Sequence, residues 1–140
     1  MWPLQRALRA AVPLSLLLAD IDYFKQLNDS YGHAEGDRVL KEIAQPIAEA
    51  ARAPNASFRL GGEEFAVLLG EAKAAAVSIA ETLCSRVEDK PFFDDGARLT
   101  LGIGVAPLPE DGRDPAALVA AADLALYKAK SDGRNRVRAA

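Results

Sequence analysis

Residues 58–69 read Phe-Arg-Leu-Gly-Gly-Glu-Glu-Phe-Ala-Val-Leu-Leu, and this stretch decides the fold. Two short runs with strand character, Phe58–Leu60 and Phe65–Leu69, flank a pair of glycines that fits the tight turn of a hairpin. A hairpin joins antiparallel strands, so the stretch predicts a sheet that is antiparallel at least in part. Glu63 and Glu64 follow the glycines directly, which puts two carboxylates beside the turn.

The chain before the hairpin predicts one strand and one helix. Leu14–Ala19 predicts a strand buried on both faces, because its apolar residues follow one another without helical gaps, and it leads into Asp20 and Asp22. Apolar positions recur at intervals of three and four over Glu35–Ala51, which indicates a helix. Pro46 lies inside that helix and is expected to bend it.

The chain after the hairpin predicts two helices and two strands. Arg98–Ala106 has strand character, although Gly102 and Gly104 weaken the prediction. Asp114 followed by Pro115 is a strong helix start. The remaining signals are a helical face of Val77, Ala80, Cys84 and Val87, a helix end between Lys130 and Gly133, and an edge strand at Arg136–Arg138. The elements predict an α+β fold, with a central mixed or mostly antiparallel sheet flanked by helices.

Length and composition limit the classes of function. The 140 residues fit a single domain over 1–140, and with 50% hydrophobic and 26% charged residues the chain has the balance of a globular protein. Cys84 is the single cysteine, so no internal disulfide can form. No apolar run approaches the roughly 20 residues of a membrane span, so we expect no membrane contact and a cytoplasmic location. The net charge of −3 argues against nucleic-acid binding, and a phosphate ligand would need local cations.

Two acidic clusters lie where the backbone is expected to turn. Asp20-Ile21-Asp22 ends the buried strand, and Glu63 and Glu64 follow the glycine pair. Burying a carboxylate is costly unless it is paired or binds a metal. Oxygen donors from two segments are the ligands that Mg²⁺ prefers, and a metal held by them can neutralise charge on phosphate groups. The residues alone therefore indicate nucleotide phosphoryl chemistry.

These clusters belong to four ordered blocks that resemble the GGDEF family over about Leu14–Val137. Arg59–Phe65 resembles the motif that names the family, in the variant with Glu at the third position. Residues 20–29, Asp-Ile-Asp-Tyr-Phe-Lys-Gln-Leu-Asn-Asp, resemble the family's Asp-Ile-Asp-x-Phe-Lys-x-x-Asn-Asp stretch. The other blocks are Gly32-His33 with Gly36-Asp37, and Ala122–Lys130 with Gly133-Arg134-Asn135.

The resemblance implies a diguanylate cyclase. In this family two domains pair head to head, each holding one GTP, and the pair forms cyclic di-GMP and two pyrophosphates. The implied fold is similar to nucleotide cyclase and polymerase palm domains, which are ferredoxin-like. The implied cofactor is Mg²⁺, with Mn²⁺ as a substitute, and the implied partner is a second copy in a homodimer that is transient or driven by a sensor.

The resemblance also assigns roles by position. Asp20, the carbonyl of Ile21, Glu63 and Glu64 would hold the metal. Glu63 and Glu64 would be catalytic, and Glu63 or a metal-bound water would take the proton from the 3′-hydroxyl. The substrate-binding positions would be Phe24 through its backbone, Lys25, Asn28, His33, Asp37, Gly62, Lys130 and Arg134. Of these, Asn28 and Asp37 would bind the guanine edge, the cations would contact the triphosphate, and Gly62 would leave room for the ribose.

Some alternatives stay open. Asp22 either caps the strand end or acts in catalysis, His33 either starts a helix or contacts substrate, and Cys84 is expected in the core. The main alternative function is a GTP- or cyclic di-GMP-binding regulatory module with little turnover, against which the intact glycine–acid turn favours the enzyme. An interaction domain without nucleotide would leave Asn28 and Asp37 unexplained. A cyclase that acts within one molecule would differ in the mass of its product.

The sequence departs from the family pattern in three places. The family's opening Leu-Thr-Gly-Leu-x-Asn-Arg block is absent, so Met1–Ala11 is expected to be the helix that follows it. We therefore expect the chain to be a fragment of a longer signalling protein, in which a missing N-terminal part could provide a membrane anchor. Arg52 and Asn55 stand at the Arg-x-x-Asp product-inhibition site, and the uncharged Asn55 predicts weakened feedback. Gly102 and Leu60 replace a common Ser and a common aromatic, with expected effects on packing.

Overall fold

The computed structural model describes residues 13–51, 56–108 and 114–140. Within these ranges it contains one sheet and four helices. The strands are β1 (Ser15–Ile21), β2 (Ser57–Gly61), β3 (Glu64–Leu69), β4 (Leu101–Pro107) and β5 (Arg136–Ala139). The helices are α1 (Phe24–Tyr31), α2 (His33–Ala51), α3 (Lys73–Asp89) and α4 (Pro115–Ser131). The predicted helix over Met1–Ala11 and the two positions Arg52 and Asn55 lie outside the described residues.

The five strands lie in the order β2-β3-β1-β4-β5. All neighbours are antiparallel except β4 and β5, which are parallel. The predicted α+β fold with a mixed, mostly antiparallel sheet is therefore confirmed. Because β1 lies at the centre, both of its edges are hydrogen-bonded and its last residues lie between the ends of β3 and β4.

Strand β1 is buried on both faces, as its uninterrupted apolar run predicted. Leu17 and Ala19 face the core formed with α2 and α3, where Ile43 and Val87 are also buried. The alternate residues face a second core on the other side of the sheet, made with α4; its buried members from β1 and α4 are Leu16, Leu18, Leu118, Ala122 and Leu126. Alternation along one strand thus gives a sheet covered by helices on both faces.

Gly104 has a packing reason that the sequence did not show. A Cβ atom at this position of β4 would lie 2.3 Å from the backbone O of Ala122 and 2.3 Å from the backbone N of Leu126. Since both atoms belong to the α4 backbone, no rotamer change could make room. The glycine that weakened the strand prediction therefore allows α4 to lie directly on the sheet.

Most predicted elements are present, with differences at their ends. The strand predicted from Arg98 begins at Leu101, and Arg98 forms an isolated bridge with Pro91. Pro46 is inside α2, and Asp114 caps α4 by accepting a bond from the Ala116 N–H at 3.1 Å. Helix α1 was not predicted from the sequence. No helix in the described ranges has the length and apolar character to cross a membrane.

Candidate active site

The hairpin brings its glutamates against the end of β1. In the β1–β3 pairing Asp20 lies opposite Glu64, and the Ile21 N–H donates to the carbonyl of Glu63 at 3.3 Å. The turn itself uses Gly62 at φ 54°, in the left-handed region that favours glycine, and its carbonyl accepts from Arg59 Nε at 2.9 Å. The two acidic clusters of the sequence therefore meet at one edge of the sheet.

Asp20 carries a strongly perturbed carboxyl group. Burial raises its pKa from 3.8 to about 6; the Lys130 ammonium opposes that rise, and Glu63 and Glu64 add to it. Its Oδ1 atom is buried and forms no hydrogen bond with the described residues. A buried carboxylate oxygen that accepts no hydrogen bond destabilises the folded protein. A cation or a hydrogen-bond donor placed beside Asp20 Oδ1 would remove that cost.

Glu64 is perturbed in the same direction. Burial raises its pKa first, the carboxylates of Asp123 on α4 and of Glu63 raise it further, and Lys130 partly compensates. The edge of the sheet therefore holds more negative charge than its neighbouring cations neutralise. Asp123 was noted in the sequence only as part of a family block, and its effect on Glu64 is a finding of the structure.

The buried carboxylate of Asp22 joins several separate segments of the chain through hydrogen bonds. Its side chain is fully buried and accepts from three donors: Thr100 Oγ1 at 2.7 Å, the Asn135 backbone N–H at 2.8 Å and Lys130 Nζ at 2.5 Å. With both oxygens engaged, the carboxylate is satisfied without a metal. Asp22 was expected either to cap the strand end or to act in catalysis, and these contacts favour a structural role. Its donors come from more of the chain than a strand cap would require.

Lys130 reaches the same place from the end of α4. Its Nζ donates to the backbone carbonyl of Asp20 at 3.0 Å and lies 3.7 Å from Asp20 Oδ2, in addition to its contact with Asp22. The stem of the side chain passes over Gly102, where a Cβ atom would lie 3.1 Å from Lys130 Cε. The structure therefore gives the small residue at position 102 a local reason, consistent with the expected effect on packing.

The donor set at this edge fits a hard divalent cation in its chemistry. Asp20 offers an unpartnered buried oxygen, and the other expected ligands, Ile21 through its carbonyl, Glu63 and Glu64, are neighbours through the strand pairing. Among the described residues, however, no three His, Cys, Asp or Glu side chains converge closely enough to hold a metal ion. The strand pairing thus brings the backbone of the expected ligands together, but their side chains do not converge on one point.

Asn28 and Asp37 are brought together through a glycine. The carboxamide of Asn28 on α1 packs against Gly36 on α2, where an added Cβ would lie 1.8 Å from Asn28 Oδ1. Asp37 follows Gly36 and lines a cleft of about 550 Å³ between α2 and the hairpin, together with Leu40, Arg59 and Phe65. Asn28 therefore packs against the residue that precedes Asp37, and Asp37 lies at one wall of a cleft that reaches the hairpin strands.

The remaining predicted positions lie around the start of α1 and the end of α4. Phe24 has a buried side chain, so only its backbone is available to a ligand, as expected. Lys25 is exposed on α1, and His33 is exposed as the first residue of α2, which agrees with its helix-start interpretation. Arg134 lies beyond α4 with its guanidinium carbon 4.6 Å from the ring centroid of Tyr23.

Cys84 occupies the core position that its helical face predicted. Burial raises the pKa of its thiol to about 11, and its Sγ–H lies within hydrogen-bonding distance of the Leu101 carbonyl, at 3.4 Å, and of Asn135 Oδ1, at 3.5 Å. Asn135 also donates through Nδ2 to Glu88 on α3. The side chain of Asn135 thereby attaches the turn after α4 to α3.

Comparison with known proteins gives consistent matches. The family model described as "Diguanylate cyclase, GGDEF domain" matches residues 3–136. Diguanylate cyclase A of Treponema denticola is 45% identical over 127 residues, covering 89% of this chain and 34% of that protein. The active GGEEF domain of a diguanylate cyclase from Vibrio cholerae superposes with a TM-score of 0.90 at 37% identity, over 96% of this chain and 87% of that one.

A further similar structure is that of a domain with a bound ligand. The GGDEF domain of DgcB from Caulobacter crescentus in complex with c-di-GMP has a TM-score of 0.88 at 32% identity, covering 96% of this chain and 82% of that one. The chain spans about a third of the length of the curated relatives it matches.

Proposed function

The chain belongs to the GGDEF family of diguanylate cyclase domains, and we propose that it condenses two GTP molecules into cyclic di-GMP and two pyrophosphates. The observation that carries the proposal is the edge of the sheet where Asp20 lies opposite Glu64 and Ile21 is bonded to Glu63. A complete glycine–acid turn held against a buried strand end supports an active enzyme over a regulatory module with little turnover.

The reaction needs two copies of the site. Each copy holds one GTP, and the 3′-hydroxyl of each nucleotide attacks the α-phosphate of the other. A new bond forms between the 3′-oxygen and the α-phosphorus, the bond from the α-phosphorus to the bridging oxygen breaks, and pyrophosphate leaves. The hydroxyl proton passes to Glu63 or to a water, and the active species is a homodimer.

The phosphates would be bound where donors are free. Tyr23, the N-cap of α1, provides no side-chain cap, so the backbone N–H groups of Phe24 and Lys25 have no side-chain acceptor from the cap residue. Amides at a helix N-terminus bind anionic groups well. Arg134 would supply the local positive charge that the net charge of the chain lacks, and Lys130, whose ammonium also contacts Asp20 and Asp22, would add to it.

The base would be held by Asn28 and Asp37. Asp37 is exposed at the wall of the cleft and can accept from the ring N–H and the exocyclic amine of guanine, which adenine does not present in that arrangement. His33 would lie at the rim of this subsite. The ribose would lie over Gly62, where a side chain would add bulk to the turn.

The metal would be Mg²⁺, for which Mn²⁺ could substitute. Asp20, the Ile21 carbonyl, Glu63 and Glu64 would hold it, and Asp20 Oδ1 would gain the partner that it lacks. When bound, the metal would neutralise charge that develops on the phosphates and the leaving pyrophosphate. We propose the cytoplasm, where GTP is available, as the place of action, and one domain over 1–140.

The test is incubation of the chain with GTP and Mg²⁺ at high and low protein concentration, with products identified by mass. Cyclic di-GMP with a rate per molecule that rises steeply with concentration is the expected result. A cyclic monomer, or a rate independent of dilution, would contradict the paired mechanism. GTP binding without product, persisting after forced dimerisation through a fused coiled coil, would assign the chain to the regulatory class instead.

A further inference from the structure

Tyr23 is an exposed aromatic residue that contacts one of the proposed phosphate-binding cations. The Arg134 guanidinium carbon lies 4.6 Å from the Tyr23 ring centroid, although 58% of the tyrosine is exposed to solvent. Within the described ranges no carboxylate forms an ion pair with Arg134. The ring face is therefore the contact that orients this guanidinium.

The backbone on both sides of this contact is in an uncommon conformation. Tyr23 has φ 57°, Arg134 has φ 63° and Asn135 has φ 46°, all in the left-handed region that non-glycine residues seldom adopt. Such conformations persist where the surrounding contacts hold them, and they concentrate at functional sites. The three residues belong to two segments that are far apart in sequence and that meet at this contact.

Asp22 joins the two segments. Its carboxylate accepts from the Asn135 N–H at 2.8 Å, and it is the residue immediately before Tyr23. The turn after α4 is also held by the Arg134 N–H, which donates to the Ala129 carbonyl at 2.9 Å. The buried carboxylate therefore sets the ring of Tyr23 and the side chain of Arg134 side by side.

An aromatic ring and a carboxylate differ in which N–H groups of a bound guanidinium remain available to another ligand. A carboxylate would accept the in-plane N–H groups of the guanidinium and neutralise its charge. A ring face attracts the cation through its quadrupole and leaves those N–H groups directed outward, available to an anionic ligand. Tyr23 thus orients Arg134 without using the groups that a phosphate would need.

We propose that Tyr23 is a positioning residue for this reaction: it holds the Arg134 guanidinium by its ring face in the orientation that receives the triphosphate of GTP. The inference rests on the proposed function, since it assigns to Arg134 a phosphate ligand. The phenol hydroxyl takes no part in it, because the ring face alone makes the contact. Phenylalanine should therefore replace tyrosine, and an aliphatic residue of similar size should not.

The test compares Tyr23→Phe and Tyr23→Leu in the wild-type and Arg134→Gln backgrounds, with KM and kcat for GTP measured separately. Tyr23→Leu should raise KM about two- to fivefold, the range of an exposed cation–π contact, and leave kcat unchanged. Tyr23→Phe should keep the wild-type KM. In the Arg134→Gln background, Tyr23→Leu should have no further effect, because the partner is gone.

Two results would overturn the proposal: an unchanged KM in Tyr23→Leu, or an increase of the same size when Arg134 is already glutamine. Thermal unfolding of each variant reports any loss of fold. If the wild-type chain fails to convert GTP, the proposed function fails, and tripolyphosphate binding measured by calorimetry then tests Tyr23 separately. Equal tripolyphosphate affinities of the Phe and Leu variants would refute the positioning role in that case.

Discussion

Asp20→Asn should make the metal-free protein more stable at neutral pH. Burial raises the pKa of Asp20 from 3.8 to about 6, so its ionised form is less stable in the folded chain than in the unfolded one. At full weight this difference corresponds to about 3 kcal/mol at pH 7. Because 27% of the side chain is exposed, solvent screening reduces the expected gain to about 1–2 kcal/mol.

The pH dependence has a definite sign. Between pH 3.8 and about 6 the folded protein keeps a proton that the unfolded chain releases, so the stability from this group falls as the pH rises through that window. Asparagine has no such titration. The advantage of the variant should therefore be largest at pH 7 and fall to about a third of that value at pH 4.5.

Urea unfolding in EDTA, at both pH values, measures the effect. Asp94→Asn, at an exposed acid in the loop after α3, is the matched control because it removes the same charge elsewhere and should change stability little. A variant no more stable than the wild type at pH 7, or a gain as large at pH 4.5 as at pH 7, would refute the reasoning. The same substitution should abolish product formation, so stability and activity are expected to change in opposite directions.

Three other outcomes are expected. Glu64→Ala should abolish cyclic di-GMP formation with an unchanged circular dichroism spectrum, and undiminished product would exclude its catalytic role. Gly104→Ala should destabilise the fold by about 1–3 kcal/mol, because its Cβ would meet the α4 backbone at 2.3 Å, whereas Gly70→Ala, with open space around position 70, should be nearly neutral in the same denaturation assay. Cys84, whose pKa is raised to about 11, should react with a thiol reagent at pH 8 only as fast as the protein unfolds; rapid labelling of the folded protein would contradict its burial.

The parts of the fold that the sequence predicted are those with a local signal. The glycine pair identified the hairpin, and the apolar run of β1 identified a central strand, since both patterns are contained within a few neighbouring residues. Helix α1 was missed because its eight residues bury only Phe24 and Leu27, and its N-cap Tyr23 has none of the usual capping chemistry. An amphipathic pattern needs more turns than this helix has.

The residues of the candidate site could be proposed from the sequence, whereas the contacts among them could not. Family blocks pointed to Asp20, Glu63 and Lys130, yet nothing near Asp22 indicated which groups would donate to its buried carboxylate. Its donors Thr100, Lys130 and Asn135 lie 78, 108 and 113 positions further along the chain. Contacts of that separation depend on the assembled sheet, and no local pattern encodes them.

The contact between Lys130 and the Asp20 carbonyl spans 110 positions, and this has a consequence for biosynthesis. Strand β1 is translated early, but its acidic end has no ammonium partner until α4 has been made, roughly 5–20 s later at ordinary rates of translation. A ribosome that stops before α4 would release a chain with the glutamate turn and without the lysine. This edge of the sheet is therefore completed late in synthesis, and a chain that ends before α4 lacks the lysine that contacts Asp20.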